Sequence, residues 1–149
     1  MENVGSSQQA MEGRVISSVT VCSSSKFYDL AQRATDALRA LGLVVYTPRF
    51  DYNEEHVVVG EADKFRLTHE FLAKVARSDA VYVIAGGGYT GVSVCIEVGY
   101  AHALGKAVLC SEQPTEFAVR ALVDAVVPVD EISEKVRLAG RTSTVDLFP

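Results

Sequence analysis

Short β-branched runs and longer amphipathic segments take turns along this chain. VISSVTVC (15–22), LVVYT (43–47), AVYVIA (80–85), AVLC (107–110) and VVPV (126–129) are brief and largely apolar, the pattern of strands buried on both sides. Between the first two, KFYDLAQRATDALRALG takes helical spacing. Phe27, Leu30, Ala31, Ala34, Ala37, Leu38 and Leu41 fall on one face, and Gly42 supplies the stop. Helical spacing returns over 62–77, where Phe65, Leu67, Phe71, Leu72, Val75 and Ala76 are the apolar members, and again over 92–104, 115–125 and the closing EISEKVRLAG (131–140). RFDYNEEH (49–56) has neither period and reads as a loop holding a helical turn at most. Alternation of this kind predicts an α/β fold, with a parallel sheet of about five strands covered on both faces and joined by right-handed crossovers. Residues 1–13 are polar and without period, so they are expected to be a disordered tail or an expression remnant ahead of one domain over 14–149.

Composition narrows the function classes. With 149 residues, 48% of them hydrophobic, the chain can bury one sizeable core and is too short for two ordinary domains. Its apolar runs are too short to span a bilayer, and MENVGSSQQAMEGR lacks a basic stretch followed by an apolar one, so a cytoplasmic protein with no membrane partner is expected. The net charge of -5, with no block of Lys or Arg, argues against nucleic acid as a partner, because a phosphate backbone needs a basic patch. A small anion needs only a few local donors and stays within reach. Cys22, Cys95 and Cys110 have no metal-ligand spacing and read as small core residues; no metal is expected.

In an open parallel sheet, ligands bind beyond the carboxyl ends of the strands, which singles out the loops SSSK, TPRFDY and GGGYTGVS. Ser23, Ser24, Ser25 and Lys26 stand at a strand-to-helix turn where backbone N–H groups, hydroxyls and an ammonium can gather around an anion; a plain serine cap with a solvated lysine is an equal alternative. Gly86, Gly87 and Gly88 permit close approach of backbone to a ligand, and Ser93 at the start of the next helix can donate to the same anion. The run is neither a P-loop nor a GxGxxG fingerprint. Glu97 is more telling. It lies one turn beyond Ser93 among Val94, Cys95, Ile96 and Val98, and an ionisable acid in apolar surroundings is costly unless it is paired or put to use.

SDAVYVIAGGGYTGVSVCIEVGYAHALGKAVLC resembles the core of the nucleoside 2-deoxyribosyltransferases and their relatives, the nucleoside 5′-monophosphate N-glycosidases. Their helix pattern ExGxAxxxGKP is matched at Glu97, Gly99, Ala101, Gly105 and Lys106, and the resemblance extends to the first strand and its SSSK turn. It implies a flavodoxin-like (Rossmann-like) sheet, cleavage of an N-glycosidic bond, no cofactor, and a homodimer or homotetramer. It also implies that Glu97 is the nucleophile at the anomeric carbon, a role open to a carboxylate. Members that cleave nucleotides hold the 5′-phosphate with a Ser and a basic residue after strand one and a Ser beside the third loop. Ser24, Lys26 and Ser93 match these in kind, with Ser25 beside them, so a nucleotide is the expected small-molecule partner.

Two family features lack a counterpart. The aspartate near the end of strand three, or on the helix before it, has no match in AGGG or LTHEFLAKV, and the tyrosine of strand one falls near Thr20. His69 and Glu70 are candidates for general acid to the leaving base, or else members of a solvated helix face. Asp79 reads as structural. Tyr89 is a candidate for stacking on base or sugar or for a subunit contact, and Arg49 for base or phosphate recognition. The expected reaction is hydrolysis of a nucleotide N-glycosidic bond. Alternatives are 2-deoxyribosyl transfer between bases and a silent nucleotide-sensing domain; a phosphoribohydrolase of the Lonely-guy type is weaker, since its PGGxGTxxE pattern is absent.

Overall fold

The structure, a computed structural model, describes residues 15–133 and Val136. The 1–13 tail and most of the closing helix expected over 131–140 lie outside them. Five parallel strands form one sheet in the order β2-β1-β3-β4-β5: β1 Ser18–Cys22, β2 Val44–Tyr46, β3 Ala80–Val83, β4 Ala107–Cys110 and β5 Ala125–Val126. Four α-helices, α1 Tyr28–Ala40, α2 Glu61–Arg77, α3 Val92–Ala103 and α4 Phe117–Arg120, fill the crossovers. This is the α/β arrangement that the alternation of periods predicts, in flavodoxin-like strand order.

The two-sided apolar strands divide the core into two layers. Val19, Val21, Tyr82, Ile84 and Leu109 point to one face and pack with Ala31, Ala34 and Leu38 of α1. Cys22, Val81, Val83, Val108 and Cys110 point to the other, under Val75 of α2 and Val94, Val98 and Ala101 of α3. Ala31 and Ala34 carry no side chain beyond Cβ, so α1 can settle close to the sheet, and Gly42, at φ 82°, turns the chain out of it. The buried Tyr82 hydroxyl donates to the Val127 carbonyl, so its polar end is satisfied. Asp79 is structural, as expected: its carboxylate accepts from the Ser17 and Ser18 backbone N–H groups at 2.8 and 3.1 Å and ties the start of β3 to β1.

Two expectations change near the C-terminal edge. The helix expected over 115–125 is the single turn α4, because residues 122 and 123 close i→i−3 turns onto Val119 and Arg120 while Asp124 accepts from the Val108 N–H at 2.8 Å. The strand expected over 126–129 is Ala125–Val126; Val127 adds one hydrogen bond to Cys110, and Pro128 has no N–H with which to go on. In RFDYNEEH, residues Phe50–Tyr52 form a 3₁₀ turn.

Candidate active site

The chain moves outward from β1 to β2 and then returns across β1 to β3, so the loops after β1 and β3 part company at the carboxyl end of the sheet. A crevice at that point follows from topology alone. A cavity of about 730 Å³ opens there, between the loops after β1 and β2, the length of α2 and the first turns of α3. Its size suits a nucleotide-sized ligand.

The loop after β1 forms one wall with Ser23, Ser24, Ser25 and Lys26. Residues 25–27 make a 3₁₀ turn, with the Ser24 side chain accepting from the Lys26 N–H at 3.4 Å, and this turn leads directly into α1. Gly91, which caps α3, brings the helix start against this loop: a Cβ on Gly91 would lie 3.9 Å from the Ser24 Cβ. Ser93, exposed on the first turn of α3, lines the same cavity, so hydroxyls from a loop and a helix start and the free N–H groups of that helix N-terminus share one space. Tyr89 stands at the mouth with its ring against Phe27, and the Lys26 ammonium lies 4.5 Å from the ring centroid.

Glu97 lies deeper, one helical turn inside α3. It keeps partial access to the cavity but has protein on most sides, and this desolvation pushes its carboxyl up to about 8; the influence of the Cys22 thiol and the positive charge of Lys64 both work the other way. Lys64, from the first turn of α2, also lines the cavity and pairs with Glu54 at 2.8 Å. Glu54 in turn donates its backbone N–H to Ser25 Oγ at 3.2 Å, which links the loop after β2 to the serine wall. Tyr28, the first residue of α1, reaches into the cavity with its ring edge-on to Phe50 at 5.1 Å; burial raises its phenol, and neighbouring Ser25 works the other way.

The opposite wall is α2. His69 and Glu70 both line the cavity and both are exposed; the Glu70 carboxylate receives the Arg66 guanidinium at 3.4 Å. Arg49 lines it too, with its guanidinium spent in a two-point pair with Asp51 (3.0 and 2.8 Å) above the Tyr52 ring. Lys74 donates to the Thr47 carbonyl at 2.9 Å at the foot of this wall, where burial lowers its ammonium.

Of the residues singled out in the sequence, Ser24, Ser25, Lys26, Arg49, His69, Glu70, Tyr89, Ser93 and Glu97 meet around this cavity. Gly87 and Gly88 do not. A Cβ on Gly88 would meet Thr115 at 2.7 Å, and one on neighbouring Gly86 would meet the Phe27 ring at 2.4 Å. These glycines let the loop pack against its neighbours and so fix the start of α3. Thr20, where the strand-one tyrosine falls by resemblance, bonds to the Lys74 carbonyl and the Ser78 hydroxyl at the end of α2, away from the cavity. Sequence reasoning missed Tyr28, Lys64 and Lys74, which line the cavity. Among the described residues, no group of three or more His, Cys, Asp and Glu side chains is placed to hold a metal ion.

The chain has the fold of a known nucleoside enzyme. A 2-deoxyribosyltransferase from the psychrotolerant bacterium Bacillus psychrosaccharolyticus superposes with a TM-score of 0.61 over 77% of this chain and 89% of its own, at 18% identity. A conserved protein from Enterococcus faecalis V583 gives 0.54 over 80% of this chain and 99% of its own, at 15% identity. At these identities the likeness is one of fold. No protein-family model and no curated protein sequence matches. No helix among the described residues is long and apolar enough to cross a membrane.

Proposed function

We propose that this protein cleaves the N-glycosidic bond of a nucleoside 5′-monophosphate or related nucleotide by hydrolysis, with Glu97 as nucleophile. The observation that supports this best is one shared cavity: a desolvated carboxylate at its base, and a serine-bearing loop, a lysine and a helix N-terminus that carries Ser93 at its end. The first suits attack on a carbon, the second a phosphate. In the reaction, a Glu97 carboxylate oxygen bonds to C1′ as the C1′–N bond breaks and its electron pair leaves with the base. The base takes a proton from a general acid, for which His69 and Glu70 on the α2 wall are the candidates. Water then attacks C1′ of the glycosyl ester and returns a proton to that group, which frees the sugar phosphate and restores Glu97.

The likeness in fold to the Bacillus 2-deoxyribosyltransferase favours a second reading, in which another base takes the place of water. Incubation with a panel of nucleoside 5′-monophosphates, their 2′-deoxy forms and the matching nucleosides, followed by chromatography, tests both. Free base from nucleotides alone supports hydrolysis. A new nucleoside on addition of a second base supports transfer, and no release from any substrate overturns both in favour of a silent sensing domain. The reading carries a homodimer or homotetramer with it. Phe65, Val92 and Ile96, exposed on the cavity rim, offer it an apolar surface, and a monomer at all concentrations in sedimentation would exclude it.

A further inference from the structure

Among the described residues four cations line the cavity, and three of them already have oxygen partners. Arg49 pairs with Asp51, Lys64 pairs with Glu54, and Lys74 donates to the Thr47 carbonyl. The Lys26 ammonium has no oxygen partner among the described residues; it lies over the ring of Tyr89 instead, 4.5 Å from the centroid. That ring is itself held. It packs edge-to-face with Phe27 at 6.1 Å, Phe27 packs on the core layer under α1, and Gly86 lies against Phe27 from the glycine loop. A Cβ on Gly91 would lie 3.7 Å from the Tyr89 hydroxyl and 3.9 Å from the Ser24 Cβ, so the ring stands where the serine loop meets the start of α3. We infer that Tyr89 is a positioning residue for the anion end of the cavity: its ring face holds the Lys26 ammonium in place for the phosphate of the substrate, an inference that rests on the nucleotide reading above.

A ring suits this task better than a carboxylate. Its face attracts a cation through a fixed quadrupole and leaves the charge unneutralised, so an arriving phosphate displaces no counter-ion. An unattached lysine on the surface keeps most of its rotamer freedom and must give it up to bind, whereas an ammonium already held at a ring gives up less. The role also sets Tyr89 beside the phosphate rather than the base, since its neighbours are Ser24 and the N-terminus of α3. Because the ring does the holding, the hydroxyl is dispensable.

The test has one arm for the contact and one for its use. Proton NMR, assigned with Lys26→Ala, should show the Lys26 ε-methylene upfield of the ordinary lysine position through the ring current of Tyr89, in the wild type and Tyr89→Phe but not in Tyr89→Leu. An ordinary position in the wild type overturns the inference. Calorimetry then uses ribose 5-phosphate and 2-deoxyribose 5-phosphate, which carry the phosphate without a base. Tyr89→Leu should weaken their binding about two- to fivefold, the range of an exposed cation–π contact, and Tyr89→Phe should keep the wild-type affinity. In a Lys26→Ala background the Tyr89→Leu loss should disappear, because the ring then has nothing to hold. A loss that persists there, or an affinity that is unchanged or tighter in Tyr89→Leu alone, overturns the inference. Should Tyr89→Leu not fold, stepwise fluorinated phenylalanines at position 89, which keep the ring's shape and drain its face, decide: affinity that falls with each fluorine supports the role, and constant affinity overturns it. A ring-shifted Lys26 in a protein whose sugar-phosphate affinity is untouched by Lys26→Ala removes the phosphate reading, and the positioning role with it. A loss in Lys26→Ala with none in Tyr89→Leu removes the positioning role alone.

Discussion

The loops after β1 and β3 leave adjacent strands at the same end of the sheet, and they do opposite things there. The serine loop turns hydroxyls and an ammonium into the cavity, while the glycine loop turns its backbone into its neighbours. Gly87 N–H donates to the Glu112 carboxylate at 3.0 Å, and the Gly88 carbonyl accepts from the Thr115 N–H at 2.9 Å. Gly86 lies flat against Phe27, the residue that joins the serine loop to α1. A run of glycines in a ligand-end loop is commonly read as a backbone cradle; here its smallness is used to let a second loop pack. The lesson is that glycine marks close approach without saying to what.

Two measurements sharpen or break this division of labour, and two more bear on the acid that lies between the loops. Glu97→Gln should lower base release by roughly a thousandfold or more, since a nucleophile acts only in the transition state, with nucleotide affinity kept within a few-fold. Rapid-quench turnover and calorimetric binding check this; unchanged turnover would remove Glu97 from the chemistry.

The next effect falls on stability. Gly86→Ala and Gly88→Ala each drive a methyl into a packed contact, and at Gly88 also onto a φ of 82° that suits glycine, so each should cost about 1–3 kcal/mol in denaturant unfolding. Gly87→Ala meets open space and should cost about 1 kcal/mol through its φ of 61° alone. If it instead abolished nucleotide binding at unchanged stability, the glycine loop would be a cradle after all.

On the other side of the comparison, Lys26→Ala and Ser93→Ala should each weaken nucleotide binding about tenfold and leave nucleoside binding nearly unchanged, with added salt weakening the nucleotide further. Equal losses for both ligands would place the phosphate elsewhere and move the transferase reading ahead.

The last effect is a pH dependence. The folded Glu97 carboxyl sits near 8, against an ordinary 4.5, so the folded state holds a proton that the unfolded state gives up. The stability tied to that proton is complete below about 4.5 and is lost as pH rises through about 8. Melting temperatures should therefore show Glu97→Gln gaining on the wild type across that window. The same ionisation sets the expected rising limb of kcat/KM, because only the carboxylate attacks. A wild type and variant that run parallel from pH 4 to 9 would show that Glu97 titrates as an ordinary acid.

The order of elements was legible before the fold, because a two-sided apolar strand and a one-sided helix carry different periods that local sequence records. Boundaries were less so: Asp124 and Pro128 end their elements through partners on β4 and through a missing N–H, and only the former needs a residue far along the chain. Glu97 stood out because a carboxylate among Val94, Ile96 and Val98 contradicts its surroundings on any reading of the helix. By contrast, Cys22 and Thr20 look interchangeable in VISSVTVC. They share a face of β1, and only the docking of the helices separates them: Thr20 is tied to the end of α2, while Cys22 is buried in the core layer that α3 covers. The periods of the chain determined the layers, since each residue's face follows from its immediate neighbours. Which loop faces the cavity, and which side chains share it with the glutamate, was decided by tertiary structure, because that space joins residues tens of positions apart that no local pattern can pair.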